Sequence, residues 1–136
     1  MTLSDLLHSL KGAGSLVLTG LLNRQNCQDL LNAAQPSQYQ CLGTFSDTTR
    51  VMGDIPYTFK IFGERGVADQ IEPVDVICIY NNTNIKPAIE LVDALLPKVK
   101  QGGHLICVDY EAGLETELTQ VDENTTDYPP NWYRQA

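Results

Sequence analysis

The sequence lacks the features that mark several classes of protein. No apolar run in its 136 residues approaches the ~18 residues that a membrane-spanning helix needs. The first residues have no basic segment followed by an apolar core, as a secretory signal would. No Gly-Lys-Ser/Thr follows the first predicted strand and no Gly-x-Ser-x-Gly occurs, so neither a P-loop nor a hydrolase nucleophile elbow is indicated. We expect a cytoplasmic protein without membrane contact.

Motifs for metal binding and redox chemistry are also missing. The four cysteines, Cys27, Cys41, Cys78 and Cys107, form no Cys-x-x-Cys pair, and only two histidines accompany them. A zinc site needs a cluster of such ligands. Each cysteine falls on a predicted apolar helix face or strand, so we expect reduced, buried thiols that pack as small hydrophobic side chains, and no metal.

Basic residues are few and the acidic ones are unevenly placed. The net charge is −8, from 9 Lys and Arg against 17 Asp and Glu. From Asp109 onward there are seven acids against the single base Arg134, so the first 108 residues, with ten acids and eight bases, are nearly balanced. Because nucleic-acid binding needs a basic face, we expect no nucleic-acid partner.

The clearest pattern in the chain covers residues 74–110. Residues 74–80 are nearly all apolar, as in a strand covered on both faces, and residues 104–110 repeat this pattern. Between them, apolar residues recur at helical spacing from Ile85 to Val99, with Pro97 expected to end or kink the helix late. A strand, a crossover helix and a second, parallel strand are therefore predicted.

Weaker signals predict the elements before this unit. An amphipathic helix is predicted from Leu3, Leu6, Leu7 and Leu10, with a near capping box at Thr2 and Asp5 before it and Gly12 as its end. Strands are predicted at 15–19, 39–45 and 57–62, and a helix capped by Asn23 runs to about Ala34. Gly20 and Asn23 are assigned to a turn between the first strand and this helix.

The 74–110 unit resembles the second half of the class I S-adenosylmethionine-dependent methyltransferase superfamily. The residues that carry the resemblance are Val74-Asp75, Leu95-Leu96-Pro97-Lys98 and Gly102-Gly103-His104-Leu105-Ile106. It implies a Rossmann-like fold, an S-adenosylmethionine site at the carboxyl ends of the strands, and a closing antiparallel hairpin, for which this chain is too short.

The first half departs from the family pattern. Where the family has a loop with several glycines, this chain has Leu18-Thr-Gly20-Leu-Leu, so only Gly20 can let a cofactor approach the backbone. The resemblance places Asp47 near the ribose hydroxyls, Glu64 near the adenine and Asn81 among the catalytic polar groups. Asp109 ends a parallel strand, at the edge where open α/β sheets bind ligands.

Each of these residues also has a simpler structural interpretation. Residues 81–84 can be a helix cap, Glu64 a surface charge in a turn, and Asp109 a hydrogen-bonding group of a loop. Asp75 lies at the amino end of its strand and is interpreted as structural or solvated. His104 follows two glycines and is expected at an exposed strand start.

After Tyr110 the pattern changes. Leu114, Leu118 and Val121 indicate one weak helix, and no further strand is predicted. The acidic tail is either a solvated extension or a segment whose aromatic and proline residues (Tyr128, Pro129, Pro130, Trp132, Tyr133) anchor it on its own body, across a dimer, or on a partner protein.

We therefore predict a three-layer α/β Rossmann-like domain at 1–110 and an acidic, aromatic-containing extension at 111–136. About five mostly parallel strands, in the order 3-2-1-4-5, have helices on both faces. One functional hypothesis is a non-catalytic binding or interaction protein, with residues 125–136 meeting a partner or a second copy. The other is a minimal S-adenosylmethionine- or nucleotide-binding enzyme that uses the crevice near Gly20, Asp47, Glu64, Asn81 and Asp109.

Overall fold

The computed structural model describes residues 1–10, 12, 14–45, 58–59, 69, 71–81, 88–109, 113–121 and 131–135. Its helices are α1 (Leu3–Ser9), α2 (Arg24–Ala34) and α3 (Ala88–Leu95), the last continued by a 3₁₀ turn at Leu96–Lys98. Its strands are β1 (Ser15–Leu22), β2 (Gln38–Phe45), β3 (Thr58–Phe59), β4 (Val74–Asn81), β5 (Val99–Asp109), β6 (Thr119–Val121) and β7 (Asn131–Arg134). None of the described helices is long and apolar enough to span a bilayer.

These strands form one sheet in the order β3-β2-β1-β4-β5-β7-β6. The first five are parallel, as predicted, and their predicted order is confirmed. β4, α3 and β5 form the predicted strand–helix–strand unit, and Pro97 lies in the 3₁₀ turn that ends its helix.

Alternating strand residues divide the core between two faces. On one face Leu18, Cys78 and Ile106 pack beneath α1 and α2, while on the other Val17, Ile77 and Leu105 pack beneath α3. The domain is thus a three-layer α/β fold with helices on both faces of the sheet, which confirms the predicted fold class.

The beginning of α1 and of α2 follows the predicted capping. Thr2 and Asp5 form a reciprocal capping box at α1, and Leu3, Leu6 and Leu7 are its buried residues. Backbone bonds from Leu3 N to Thr116 O and from Ser4 N to Leu114 O, both 2.8 Å, join this helix to the segment before β6.

β5 begins earlier than predicted. Gly102 and Gly103 were expected to precede the strand, but they lie inside it, where the pairing register with β4 shifts between Val74 and Val76. Gly102 has φ 79°, and a Cβ on Gly103 would overlap the backbone oxygen of Asp75. The glycines therefore permit a bulge, which lets the strand continue through them.

The prediction of no strand after Tyr110 is wrong, as is the weak helix at 114–121. β7 pairs antiparallel with β5, and β6 pairs parallel with β7. Two mutually parallel strands thus extend the described part of the sheet beyond β5. Among the three alternatives for the tail, packing on its own body is confirmed for Trp132, which contacts one core face, and for Tyr133, which is buried in the other.

Candidate functional site at the carboxyl edge

The carboxyl ends of β1, β4 and β5 bring three of the predicted site residues to one edge of the sheet. Gly20 is in register with Tyr80, and Asn81 is in register with Asp109. Asp47 and Glu64 lie outside the described residues, so their positions stay predictions. This edge is where ligands bind in open α/β folds, because the backbone groups and the connecting segments converge there.

Gly20 lies within β1, because the strand continues to Leu22; its assignment to a turn is wrong. Its φ is 91°, a value that L side chains rarely adopt, and a Cβ there would overlap the carbonyl oxygen of Tyr80 in β4. A glycine is therefore required here because the backbone of the neighbouring strand, β4, lies against it. The backbone of β4 fills the space that a side chain at this position would need.

The connection from β1 to α2 consists of Asn23 alone. Asn23 Oδ1 accepts from Asn26 N at 2.7 Å, and Asn26 Oδ1 accepts from Asn23 N at 3.0 Å. Leu22 is fully buried and Asn26 is only 6% exposed. The predicted Asn23 cap is confirmed, and this reciprocal pairing occupies backbone donors that a phosphate or carboxylate would otherwise contact at a helix start.

Burial keeps two ionisable side chains of the core, Tyr80 and Cys107, in their neutral forms. Tyr80 is 1% exposed, and burial, with a smaller contribution from Cys78, raises the pKa of its hydroxyl above the usual range. Burial likewise raises the pKa of the Cys107 thiol to about 12. Groups with such pKa values do not exchange protons near pH 7, so they contribute packing.

The four cysteines are free and buried, as predicted. A hydrogen bond from Cys27 lowers the pKa of Cys41, against the opposing effect of its burial. Across the described ranges, no group of three His, Cys, Asp or Glu side chains is arranged to hold a metal ion.

Asp109 is the ionisable predicted residue that the structure places at this edge. It is half-buried at the end of β5, and its register partner Asn81 ends β4. A carboxylate can accept hydrogen bonds from hydroxyl groups such as those of a ribose. General-base catalysis would further require a positioned partner and a substrate within hydrogen-bond reach.

Asp75 lies at the opposite edge, as predicted. Its Oδ2 accepts from the backbone N–H of Ser15 at 2.8 Å and from the Ser15 hydroxyl at 3.2 Å. Asp75 therefore joins the start of β4 to the start of β1, which is a structural role.

His104 differs from its prediction as an exposed strand start. It is half-buried within β5, and its Nδ1 accepts a hydrogen bond from the indole Nε1–H of Trp132 at 2.9 Å. Burial, and then the nearby Arg134, lower the pKa of His104. Sequence analysis missed this pair because it depends on β7, a four-residue strand with no recognisable alternation.

A comparison with solved structures supports the architecture. The chain is similar to a structure described as an rRNA methylase from Streptococcus thermophilus, with a TM-score of 0.55, 15% sequence identity, and coverage of 79% of this chain and 69% of that one. The fold is methyltransferase-like. At this identity the likeness shows the fold alone, and no protein-family model and no curated protein matches the sequence.

The β1–α2 junction does not fit the cofactor that such a fold suggests. A glycine loop would leave backbone exposed beside the cofactor, whereas here β1 continues through Leu21 and Leu22 in register with β2. With β4 against Gly20 and the asparagine pair at the helix start, S-adenosylmethionine has no backbone cradle at this position.

Proposed function

We propose that this chain is a non-catalytic binding or interaction protein built on a methyltransferase-like fold. The observation that carries the proposal is the closed β1–α2 junction, where the Asn23/Asn26 pair fills the helix start and the Tyr80 backbone lies against Gly20. A fold without its cofactor cradle still offers a rigid surface for binding, and fold alone does not carry an activity.

The partner predicted for residues 125–136 belongs to this proposal. In the described part of that segment, Trp132 and Tyr133 contact the chain's own core, so these two aromatic side chains stabilise the fold. A second copy or another protein would therefore meet a surface supported by β7. The mass of the full chain in solution tests the dimer: a monomer at all concentrations contradicts it.

A second candidate, a minimal S-adenosylmethionine- or nucleotide-binding enzyme, is favoured by the adjacent ends of β4 and β5. Asn81 and Asp109 are in register there, so the backbone ends of two neighbouring strands meet at the usual ligand edge. For this candidate, residues outside the β1–α2 junction would have to bind the cofactor.

A thermal-shift screen separates the two candidates. The full chain is heated with S-adenosylmethionine, S-adenosylhomocysteine, NAD, coenzyme A and nucleotides. A ligand at about 100 times its Kd adds roughly 2.7 kcal/mol, which raises Tm by several degrees in a domain of this size. We expect no shift. A shift that is lost on Asp109→Asn and kept on Asp93→Asn, an exposed control on α3, would overturn the non-catalytic proposal.

A further inference from the structure

A groove of about 400 Å³ crosses the amino ends of four neighbouring strands, opposite the edge where methyltransferase-like folds are expected to bind cofactors. Its lining comes from β1, β2, β5 and the segment leading into β4, with Val17 and Val74 on the floor and Gln38, Gln40, Glu72 and Lys100 among the polar residues. The volume is in the range of ligand pockets. From β2 to β5 are three strand spacings, a span of about 14 Å.

At the β2 end, the groove presents two exposed carboxamides. Gln38 and Gln40 are two residues apart, so their side chains leave the same face of the strand about 7 Å from each other. Alternate peptide groups of an extended chain repeat at the same distance. A carboxamide offers both donors and an acceptor, as a peptide group requires.

Near β4 and β5, the charged side chains that the structure describes are Glu72, Asp75 and Lys100. Lys100 Nζ lies 4.0 Å from Asp75 Oδ2, so these two charges offset each other. Glu72 is exposed and forms no ion pair with any residue that the structure describes. With Asp75 beside Lys100, the two acids and one base at this end of the groove carry a net charge of −1, and the whole chain carries −8, so both favour a cation.

From this arrangement we propose that the groove binds a short extended peptide that carries an ammonium group, with Gln38 and Gln40 contacting its peptide groups and Glu72 its ammonium. The inference rests on the proposed binding function and gives that function a site and a ligand class. At roughly 3.4 Å per residue, about four extended residues span the groove. The ammonium belongs either to a lysine side chain or to a free amino terminus.

The test is a titration of the ¹⁵N-labelled full chain, followed by ¹H–¹⁵N correlation spectra. The probes are acetyl-Gly-Lys-Gly-Gly-amide, Gly-Gly-Gly-Gly-amide with a free amino terminus, and acetyl-Gly-Gly-Gly-Gly-amide without charge. We expect saturable shifts at residues 15–17, 38–40, 72 and 74 with one or both charged probes, and much weaker binding of the uncharged one. The charged probe that binds identifies the source of the ammonium.

Matched variants separate recognition from general attraction. Glu72→Gln is expected to weaken binding of the charged probe by about two- to fivefold, as removal of one exposed ion pair does. Glu115→Gln makes the same change of charge on an exposed residue outside the groove, and is expected to leave binding unchanged.

Four results would overturn the inference: no binding of either charged peptide, equal binding of the uncharged peptide, equal weakening by both variants, or shifts centred on residues 20, 81 and 109. Absence of binding would refute the groove as this site but leave the non-catalytic proposal intact. That proposal fails on a cofactor shift in the thermal screen that Asp109→Asn abolishes and Asp93→Asn retains, so the two failures are distinguishable.

Discussion

Two regions hold the methyltransferase-like sheet together in different ways. The junction, residues 20–26, closes the path from β1 to α2 by local contacts: a reciprocal asparagine pair and a glycine against the neighbouring strand. The seam, residues 102–107 with 131–135, joins β5 to the end of the chain by long-range contacts. Gly102 N donates to Gln135 O at 2.8 Å, Gln135 N donates to Gly103 O at 3.0 Å, and Trp132 bonds to His104.

This difference bears on function. In the junction, backbone donors of Asn23 and Asn26 bond within the chain and β4 lies against Gly20, so this part of the ligand edge offers no backbone cradle. In the seam, aromatic side chains that could anchor a partner complete the core. Both regions therefore use potential binding groups for stability, and the polar groove at the amino edge is a binding surface that neither of them occupies.

The largest effect is expected at the seam. Tyr133→Ala removes a side chain that is 4% exposed, and large-to-small changes at such aromatic positions cost about 3–5 kcal/mol. Urea denaturation at pH 7.5 measures the loss. Arg134→Ala, an exposed neighbour on the same strand, is the control and is expected to change stability by less than about 0.5 kcal/mol. Equal costs would contradict the docking of β7.

Gly20→Ala is expected to cost about 3 kcal/mol at the junction. A left-handed conformation costs a residue with a Cβ about 1–2 kcal/mol, and overpacking against the Tyr80 backbone adds about 1–3 kcal/mol. Gly102→Ala isolates the first contribution, since Gly102 has φ 79° and a Cβ there would meet nothing within 4 Å among its neighbours. Equal free energies of unfolding for the two variants would show that β4 does not crowd Gly20.

Sequence reasoning found the elements whose signals are local. The capping residues Thr2 and Asn23 mark α1 and α2, and the apolar run at 74–80 marks β4, because capping and burial act over a few residues. The order of the first five strands was predicted as part of the Rossmann-like fold that the methyltransferase resemblance implies, and the structure has that order.

Sequence reasoning could not predict features that depend on contacts between residues far apart in the chain. The glycine pair at 102–103 has the composition of a turn, and only the register with β4 shows a bulge. Trp132 and Tyr133 lie in a strand too short for a period, so their partners could not be named. At the candidate site, the sequence placed Gly20, Asn81 and Asp109 near strand ends, but only the structure shows that Gly20 is crowded by Tyr80.

The seam should also depend on pH. The pKa of His104 is lowered in the folded state, so between pH 7.5 and 5 the unfolded chain binds the proton more readily than the folded chain. Stability is therefore present above the ordinary His pKa of about 6.5 and is lost as pH falls through the lower, folded-state value. The expected loss is on the order of 1 kcal/mol, since protonation of Nδ1 removes the hydrogen bond from Trp132.

Urea denaturation at pH 7.5 and pH 5.0 measures this dependence. His104→Gln is expected to flatten it, and Trp132→Phe should cost more at pH 7.5 than at pH 5.0, because the donor matters only while Nδ1 can accept. His8→Gln, at an exposed position of α1, is the control and should retain the dependence of the unchanged chain. The same slope in the unchanged chain, in His104→Gln and in His8→Gln would place the titrating group elsewhere.

The smallest effect, about 1 kcal/mol, is expected for Asn23→Ala, which removes the side-chain acceptor of Asn26 N at the start of α2. Thr2→Ala makes the equivalent change at α1, where the bond to Asp5 N is 3.0 Å and exposed. The Asn23 variant should be the more destabilised, because Asn26 is buried and its donor is left without this partner. Its Tm should not respond to S-adenosylmethionine, since β4 still lies against Gly20. A rise in Tm confined to this variant would mean that the cap alone excludes the cofactor and that the glycine is not the barrier.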